Sequence, residues 1–243
     1  MNPNSPIEQN ALNAISEVAA VLDAKGWAEG GGGNISVQLE TNVIDGIPSK
    51  TLPCPGGLRA LDGNVYAMTL SRSRMRELAR QPRRHLGLVA VRDSAVALYL
   101  PQGREVSSEL LTHLHAYASN GCHAVVHAHA DYSSILSRLL SLSDIPGALR
   151  KAHTEVPYVL ARGVSVVGLI APGSRQLAEA VGKALSDSDA VLLERHGLIA
   201  CGEDLMQALD RFEVIEKCSR LLYALKVVGL ESDTTEWPDE FLP

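Results

Sequence analysis

Two histidines one residue apart, His127 and His129, close the apolar run Ala124-Val125-Val126. Side chains on a strand alternate between faces, so positions i and i+2 share one. Both imidazoles can then meet a single ion, at Zn–N distances of roughly 2.0–2.1 Å. A third histidine, His196, follows a second apolar run, Val191-Leu192-Leu193, in Glu194-Arg195-His196-Gly197. Three neutral nitrogen donors at strand ends make a catalytic type of zinc site, with one position left open. The competing reading is a set of hydrogen-bonded, inert histidines, since this residue is of intermediate burial. Zinc and another divalent ion both fit such donors. His113 and His115 share the spacing but fall in a helical pattern, where i and i+2 diverge by about 200°. They read as structural or surface residues.

Other groups could handle an anion. Ser107-Ser108-Glu109 stands at a helix start, where unpaired amides and the dipole attract phosphate. Glu109 is also favourable there as a first-turn acid. The run Gly30-Gly31-Gly32-Gly33-Asn34 can bring backbone N–H groups against a phosphate, or be a flexible turn. It matches neither G-x-x-x-x-G-K-S/T nor G-x-G-x-x-G, because Ile35 or Ser36 falls where the last glycine is needed, so no nucleotide is expected. His153-Thr154-Glu155 is a polar cluster before an apolar run and says little alone. Cys201 reads as a buried apolar residue, and Arg72-Ser73-Arg74-Met75-Arg76 as a solvated helix face.

These groups need elements to hold them. Ser5-Pro6-Ile7-Glu8 reads as a capped helix start, followed by Leu12, Ile15, Ala19 and Leu22 at helical spacing and a stop at Gly26. The glycine run then feeds a half-buried strand through Ile35, Val37 and Leu39. Residues 41–63 are rich in Pro, Gly and Asp and read as irregular. Strands are expected at 65–70, and at 88–91 and 95–100 as a hairpin around Arg92-Asp93-Ser94. Further strands are expected at 122–129, 156–160, 164–169, 190–193 and 198–201. Helices are expected at 73–80, at 109–118 capped by Ser107 or Ser108, from Asp131, at 174–185 and at 204–228.

The 243 residues are 46% apolar, enough for a sizeable core, so wholesale disorder is excluded. No run of about eighteen apolar residues marks a transmembrane helix. Lys+Arg 22 against Asp+Glu 28 gives a net charge of −6. The only basic clusters are short, which disfavours nucleic acid or an anionic membrane as partner. The first residues lack the regions of a signal peptide, and Cys54, Cys122, Cys201 and Cys218 form no C-x-x-C pair, so a cytoplasmic protein with reduced thiols is expected. With no repeat or linker, residues 1–243 read as one α/β domain with a mixed or antiparallel sheet.

In order and spacing, Gly32-Gly33-Asn34-Ile35-Ser36, Ser107-Ser108-Glu109, Val126-His127-Ala128-His129-Ala130 and His196-Gly197-Leu198-Ile199-Ala200-Cys201-Gly202 resemble the class II aldolase/adducin family, from about residue 11 to about residue 226. The resemblance implies a three-layer α/β/α fold around a central, largely antiparallel sheet. It also implies a homotetramer with metal sites near subunit interfaces. Within the family, Lys25-Gly26-Trp27-Ala28-Glu29, Ser73–Ala79 and Val106–Leu110 look most like the rhamnulose-phosphate aldolases, with the fuculose-phosphate aldolases second. The ribulose-phosphate 4-epimerases of the family usually carry Asp where Glu109 stands.

Carried over by position, the resemblance implies that His127, His129 and His196 bind Zn2+. Glu109 would be the carboxylate beside the metal, active in proton transfer. Glu155 would be a second acid/base group. Gly33, Asn34, Ser71, Ser107 and Ser108 would hold a phosphate. Two departures stand out. Gly30-Gly31 replaces Arg-Asn of the rhamnulose enzymes, and Arg72 replaces a glycine of the phosphate loop, where a guanidinium could clamp a phosphate or carboxylate or block the usual pose. The implied activity is zinc-dependent cleavage of a ketose 1-phosphate to dihydroxyacetone phosphate and an aldehyde, with a sugar phosphate as the small-molecule partner. The rival readings are a sugar-phosphate epimerase or dehydratase on the same scaffold, and a non-catalytic adducin-like module. The last generally lacks the metal histidines.

Overall fold

The computed structural model describes residues 7–41, 44, 46–93 and 95–230. Helix α1 (Gln9–Ala24) buries Leu12, Ile15, Val18, Ala19 and Leu22, a three- and four-residue spacing that puts them on one stripe. The expected Ser5-Pro6 start lies outside the described residues. Glu8 is at the N-cap itself, with no side-chain cap bond, and so is not the first-turn acid of a capping box. Strand β1 (Asn34–Gln38) follows the glycine run. Next come β2 (Lys50–Pro53), a 3₁₀ turn at Gly56–Leu61, β3 (Val65–Thr69), the short helices α2 (Met75–Arg80) and α3 (Pro82–His85), and the hairpin β4 (Leu86–Arg92) and β5 (Ala95–Tyr99).

The second half runs α4 (Leu110–Asn120), β6 (Ala124–Ala128), α5 (Asp131–Leu139), α6 (Ile145–Ala152), α7 (Val156–Val159), β7 (Val164–Val167), α8 (Arg175–Leu185), β8 (Ala190–Leu193), β9 (Gly197–Gly202) and α9 (Leu205–Val227). The strands form a nine-stranded sheet in the order β2-β5-β4-β3-β1-β6-β9-β8-β7. Among the described residues only β7 and β8 pair in parallel; the other pairs are antiparallel.

Alternation along the strands builds two cores. Ile35, Val65, Ala67, Val126, Leu192 and Leu198 face α1, α2, α5, α6 and α9, where Leu12, Leu78, Leu136 and Phe212 meet them. Tyr66, Met68, Val125, Val191 and Ile199 face α4, α8 and the 3₁₀ turn, against Leu114, Leu177 and Leu58. The result is the expected three-layer α/β/α fold. Each fully buried Leu or Phe here contributes roughly 1.5–3 kcal/mol relative to leaving it in water.

Four local expectations need correcting. Residues 156–160 form no strand: Pro157 removes a ladder donor and sits in the first turn of α7, which tolerates it. Residues 41–63 are not wholly irregular, because β2 adds an edge strand whose Pro53 is acceptable only at an edge. Its residues are mostly exposed, so they carry no apolar alternation to read. Strand β1 is not half-buried: Asn34, Ile35 and Ser36 are all buried, since β1 lies mid-sheet between β3 and β6 with helices on both faces. Neither Ser107 nor Ser108 occupies the N-cap of α4; Glu109 does.

Arg72, Asp93 and Arg195 adopt left-handed backbone conformations, with φ of 60°, 49° and 57°. That region costs a non-glycine residue roughly 1–2 kcal/mol. No helix among the described residues is long and apolar enough to cross a membrane.

Candidate metal centre

Register brings the histidines together. His127 pairs with Asn34 of β1 on one side and Ile199 of β9 on the other. His129 lies just past the end of β6. His196 lies in the turn between β8 and β9, closed by its N–H donating to the Leu193 carbonyl at 3.1 Å. One nitrogen from each of His127, His129 and His196 lies within 4.8 Å of the others. Tetrahedral bonds of about 2.1 Å need the nitrogens about 3.4 Å apart, so a small inward shift suffices.

The ring orientations fit a cation. His127 Nδ1 faces the Leu198 carbonyl at 3.1 Å and His129 Nδ1 faces Glu29 Oε1 at 2.8 Å. Each Nδ1 therefore carries the hydrogen, and each Nε2 keeps its lone pair for the shared space. Such outer partners fix tautomer and aim in metal sites. His196 Nδ1 is buried with no hydrogen-bond partner among the described residues, an exception that asks for an explanation such as an ion. Burial, then the charges of His196 and His129, push the His127 imidazole well below its ordinary range, only partly opposed by the Leu198 carbonyl. His196 is lowered by burial and by His129, while Glu109 and Glu29 act the other way. Neutral imidazoles are the form that binds metal.

Glu109 is buried, and both its oxygens are used. Oε1 accepts from the Gly173 N–H and Oε2 from Thr112 Oγ1, each at 2.7 Å. Its charge reaches His196, but it stands outside the three-histidine cluster. Ser107 Oγ accepts the Glu109 N–H at 3.2 Å, which turns the chain into α4.

Asn34 ends a buried chain of polar groups. Tyr117 OH and His113 Nδ1 each lie 2.6 Å from Ser36 Oγ, and His113 Nε2 contacts Asn34 Oδ1. Burial drives the His113 pKa down to about 3, so the ring is neutral. One polarity satisfies every group: Tyr117 donates to Ser36, Ser36 donates to His113 Nδ1, and His113 Nε2–H donates to Asn34 Oδ1. The amino end of the Asn34 amide is thereby kept as a donor.

The glycine run approaches the centre closely. A Cβ on Gly32 would meet His129 Nδ1 at 2.9 Å, so any side chain there would displace the ring. Gly33, beside Asn34, passes the His127 carbonyl. The Ser71 N–H donates to the Glu105 carbonyl and the Ser107 N–H to the Thr69 carbonyl, which sets those two serines on neighbouring segments. Ser108 is exposed against Gly173.

The structure thus gathers His127, His129 and His196, and arrays Gly33, Asn34, Ser71, Ser107, Ser108 and Glu109 on linked segments. Glu155 stands apart, exposed at the N-cap of α7, its N–H donating to His153 Nδ1. Sequence reasoning missed three supporting residues. Glu29 holds His129. His113 holds Asn34. Glu216, buried on α9, accepts the N–H groups of Tyr132 and Ser133 at 2.9 and 2.8 Å and so pins the start of α5 just beyond His129.

A profile described as the Class II Aldolase and Adducin N-terminal domain matches residues 13–223. The chain belongs to the class II aldolase and adducin family, on the side of it whose members are metal-dependent lyases. It is 31% identical to a rhamnulose-1-phosphate aldolase of Bacteroides thetaiotaomicron, over 95% of this chain and 91% of that one. It is 30% identical to a 3-oxo-tetronate 4-phosphate decarboxylase of Escherichia coli, over 93% and 92%. Among solved structures, a sugar-phosphate aldolase from Thermotoga maritima superposes with a TM-score of 0.79 at 27% identity, covering 93% of this chain and 99% of that one. The likeness to a decarboxylase is one that the motifs did not point to.

Proposed function

We propose that this protein is a cytoplasmic, single-domain zinc aldolase that cleaves a ketose 1-phosphate, of the rhamnulose or fuculose type, to dihydroxyacetone phosphate and an aldehyde. We propose further that it works as a homotetramer. The observation that carries the reading is the convergence of three histidine nitrogens within 4.8 Å, with two of the rings aimed by hydrogen bonds from Nδ1.

A divalent cation held by His127, His129 and His196 would polarise the ketone and stabilise the negative charge that collects on its oxygen, an effect of several kcal/mol. Gly33, Asn34, Ser71, Ser107 and Ser108 hold the phosphate, so its binding orients the reacting carbons. Glu109 takes the proton from the hydroxyl whose carbon–carbon bond breaks. The bond pair moves to the carbon beside the ketone, the aldehyde leaves, and a proton returned to that carbon completes the cycle. General-base help of this kind contributes about 10²–10⁴-fold. Glu155, exposed and apart from the centre within one chain, takes the second acid/base role in this reading only where the proposed tetramer brings it to a neighbouring centre.

A second reading is supported by the decarboxylase relative at 30% identity. A 3-oxo acid phosphate that loses carbon dioxide leaves its electron pair on the same carbon beside the ketone. The same histidines and phosphate contacts would serve, and only the departing group differs. The deciding measurement is a panel of rhamnulose, fuculose and related 1-phosphates together with 3-oxo-tetronate 4-phosphate. Products are scored as dihydroxyacetone phosphate, aldehyde and carbon dioxide, with and without chelator. Turnover that survives complete metal removal rejects both readings.

A further inference from the structure

We infer that Arg72 is a specificity-determining residue that binds an oxyanion of the substrate, phosphate or carboxylate, at the rim of the metal centre. The inference rests on the reading that the centre takes a phosphorylated sugar or sugar acid. Its first support is conformational. Arg72 has a φ of 60°, in the left-handed region that a glycine enters freely and an arginine does not. A residue held in such a region against its preference is a pointer to function.

The side chain offers the fold nothing in return. Arg72 is exposed, and its guanidinium has no hydrogen-bond or ion-pair partner among the described residues. Glu105, whose carbonyl accepts from the Ser71 N–H, has its carboxylate paired with Lys50 at 3.3 Å. The turn itself is fixed. The Ser71 N–H donates to the Glu105 carbonyl at 2.9 Å, the Ser73 N–H to Leu70 at 3.2 Å, and Arg104 donates to Ser73 Oγ at 3.3 Å. A free cation therefore stands on a rigid support.

Position supplies the third support. A Cβ on Gly31 would lie 3.2 Å from Arg72 Cα, and one on Gly32 would lie 2.9 Å from His129 Nδ1. Arg72 and the His129 ring therefore lie against adjacent glycines of one run, Gly31 and Gly32, whose Cα atoms are about 3.8 Å apart. Gly31 is small where Arg72 needs room. A planar guanidinium can take a carboxylate or phosphate through two parallel hydrogen bonds, and Ser71 stands beside it.

The test uses the full-length, metal-loaded protein and two variants, Arg72→Gly and Arg72→Lys. Calorimetric titration with inorganic phosphate and, separately, with malonate reads the affinity, and a thermal melt reads the fold. Arg72→Gly should melt higher than the parent, because glycine relieves the backbone, yet bind one or both anions at least tenfold more weakly. Arg72→Lys should keep part of the affinity through its charge. A loss confined to phosphate assigns Arg72 to the phosphate group; a loss confined to malonate assigns it to the carboxylate of a sugar acid. Undiminished affinity for both anions in folded Arg72→Gly overturns the inference, as does a parent that binds neither. Failure of the parent to cleave any ketose phosphate would sink the aldolase reading and leave this binding result intact.

Discussion

Glu29 Oε1 accepts a hydrogen bond from His129 Nδ1 at 2.8 Å, across 100 residues of chain. Partial burial works against the Glu29 charge, but this bond, the Glu29 backbone amide and the charges of His129 and His196 outweigh it and bring the carboxyl below its usual range. Glu29→Gln keeps the shape and loses the charge. Metal affinity should fall about 10–100-fold, as for other outer partners of ligating histidines. Competition against a chromophoric chelator measures it, and an unchanged affinity would show that Glu29 does not aim the ring.

The ligand set is tested by removal. His129→Ala should lose bound metal while the sheet folds, since His129 lies beyond the last residue of β6. Elemental analysis that still finds one ion per chain would mean the set is wrong.

Turnover should drop by about 10²–10⁴-fold in Glu109→Gln, the range of a lost general base. The variant should still fold, because a glutamine oxygen can accept from Gly173 or Thr112 in place of the carboxylate. A rate equal to that of the parent would take the proton-transfer role away from Glu109, to Glu155 or elsewhere.

Acid should weaken the fold through His113. The native pKa of about 3 lies below the ordinary 6.5 because burial disfavours the charged ring. Between those values the unfolded chain binds a proton that the native chain refuses, so stability falls as pH falls, by up to about 1.4 kcal/mol per pH unit. His113→Gln removes that proton difference. Urea unfolding of the metal-free protein from pH 7 to pH 4 should give a flatter curve for the variant, and parallel curves would refute the assignment.

Much of the centre is legible in the sequence because strands obey a strict two-residue rule. His127 and His129 can be read as neighbours in space from their spacing at the end of an apolar strand, which the same spacing in His113 and His115 lacks, and His196 from the apolar run before it. Glu29 cannot, because no local rule ties a glutamate in a glycine-rich turn to a histidine 100 residues away, past the end of a strand. Its place in a helical pattern separates His113 from the metal pair, yet its grip on Asn34 depends on how α4 packs on β1, which periodicity does not encode. The 156–160 stretch has the apolar content of a strand, but Pro157 outweighs it by removing a ladder donor. Four glycines in a row read as slack, whereas Gly32 is small because the His129 ring lies against it.

The division between imidazoles set by the register of the central strands and the turns that run beside them has an evolutionary reading. A one-residue slip of β1 against β6 would swing Asn34 to the opposite face and dismantle the buried polar chain behind it. Insertions or exchanges around residues 30, 72, 108 and 173 would leave that scaffold alone. New substrates can therefore be explored by editing turns while the catalytic hardware is inherited unchanged, which gives a physical route for lyases with different leaving groups to diverge from one ancestor.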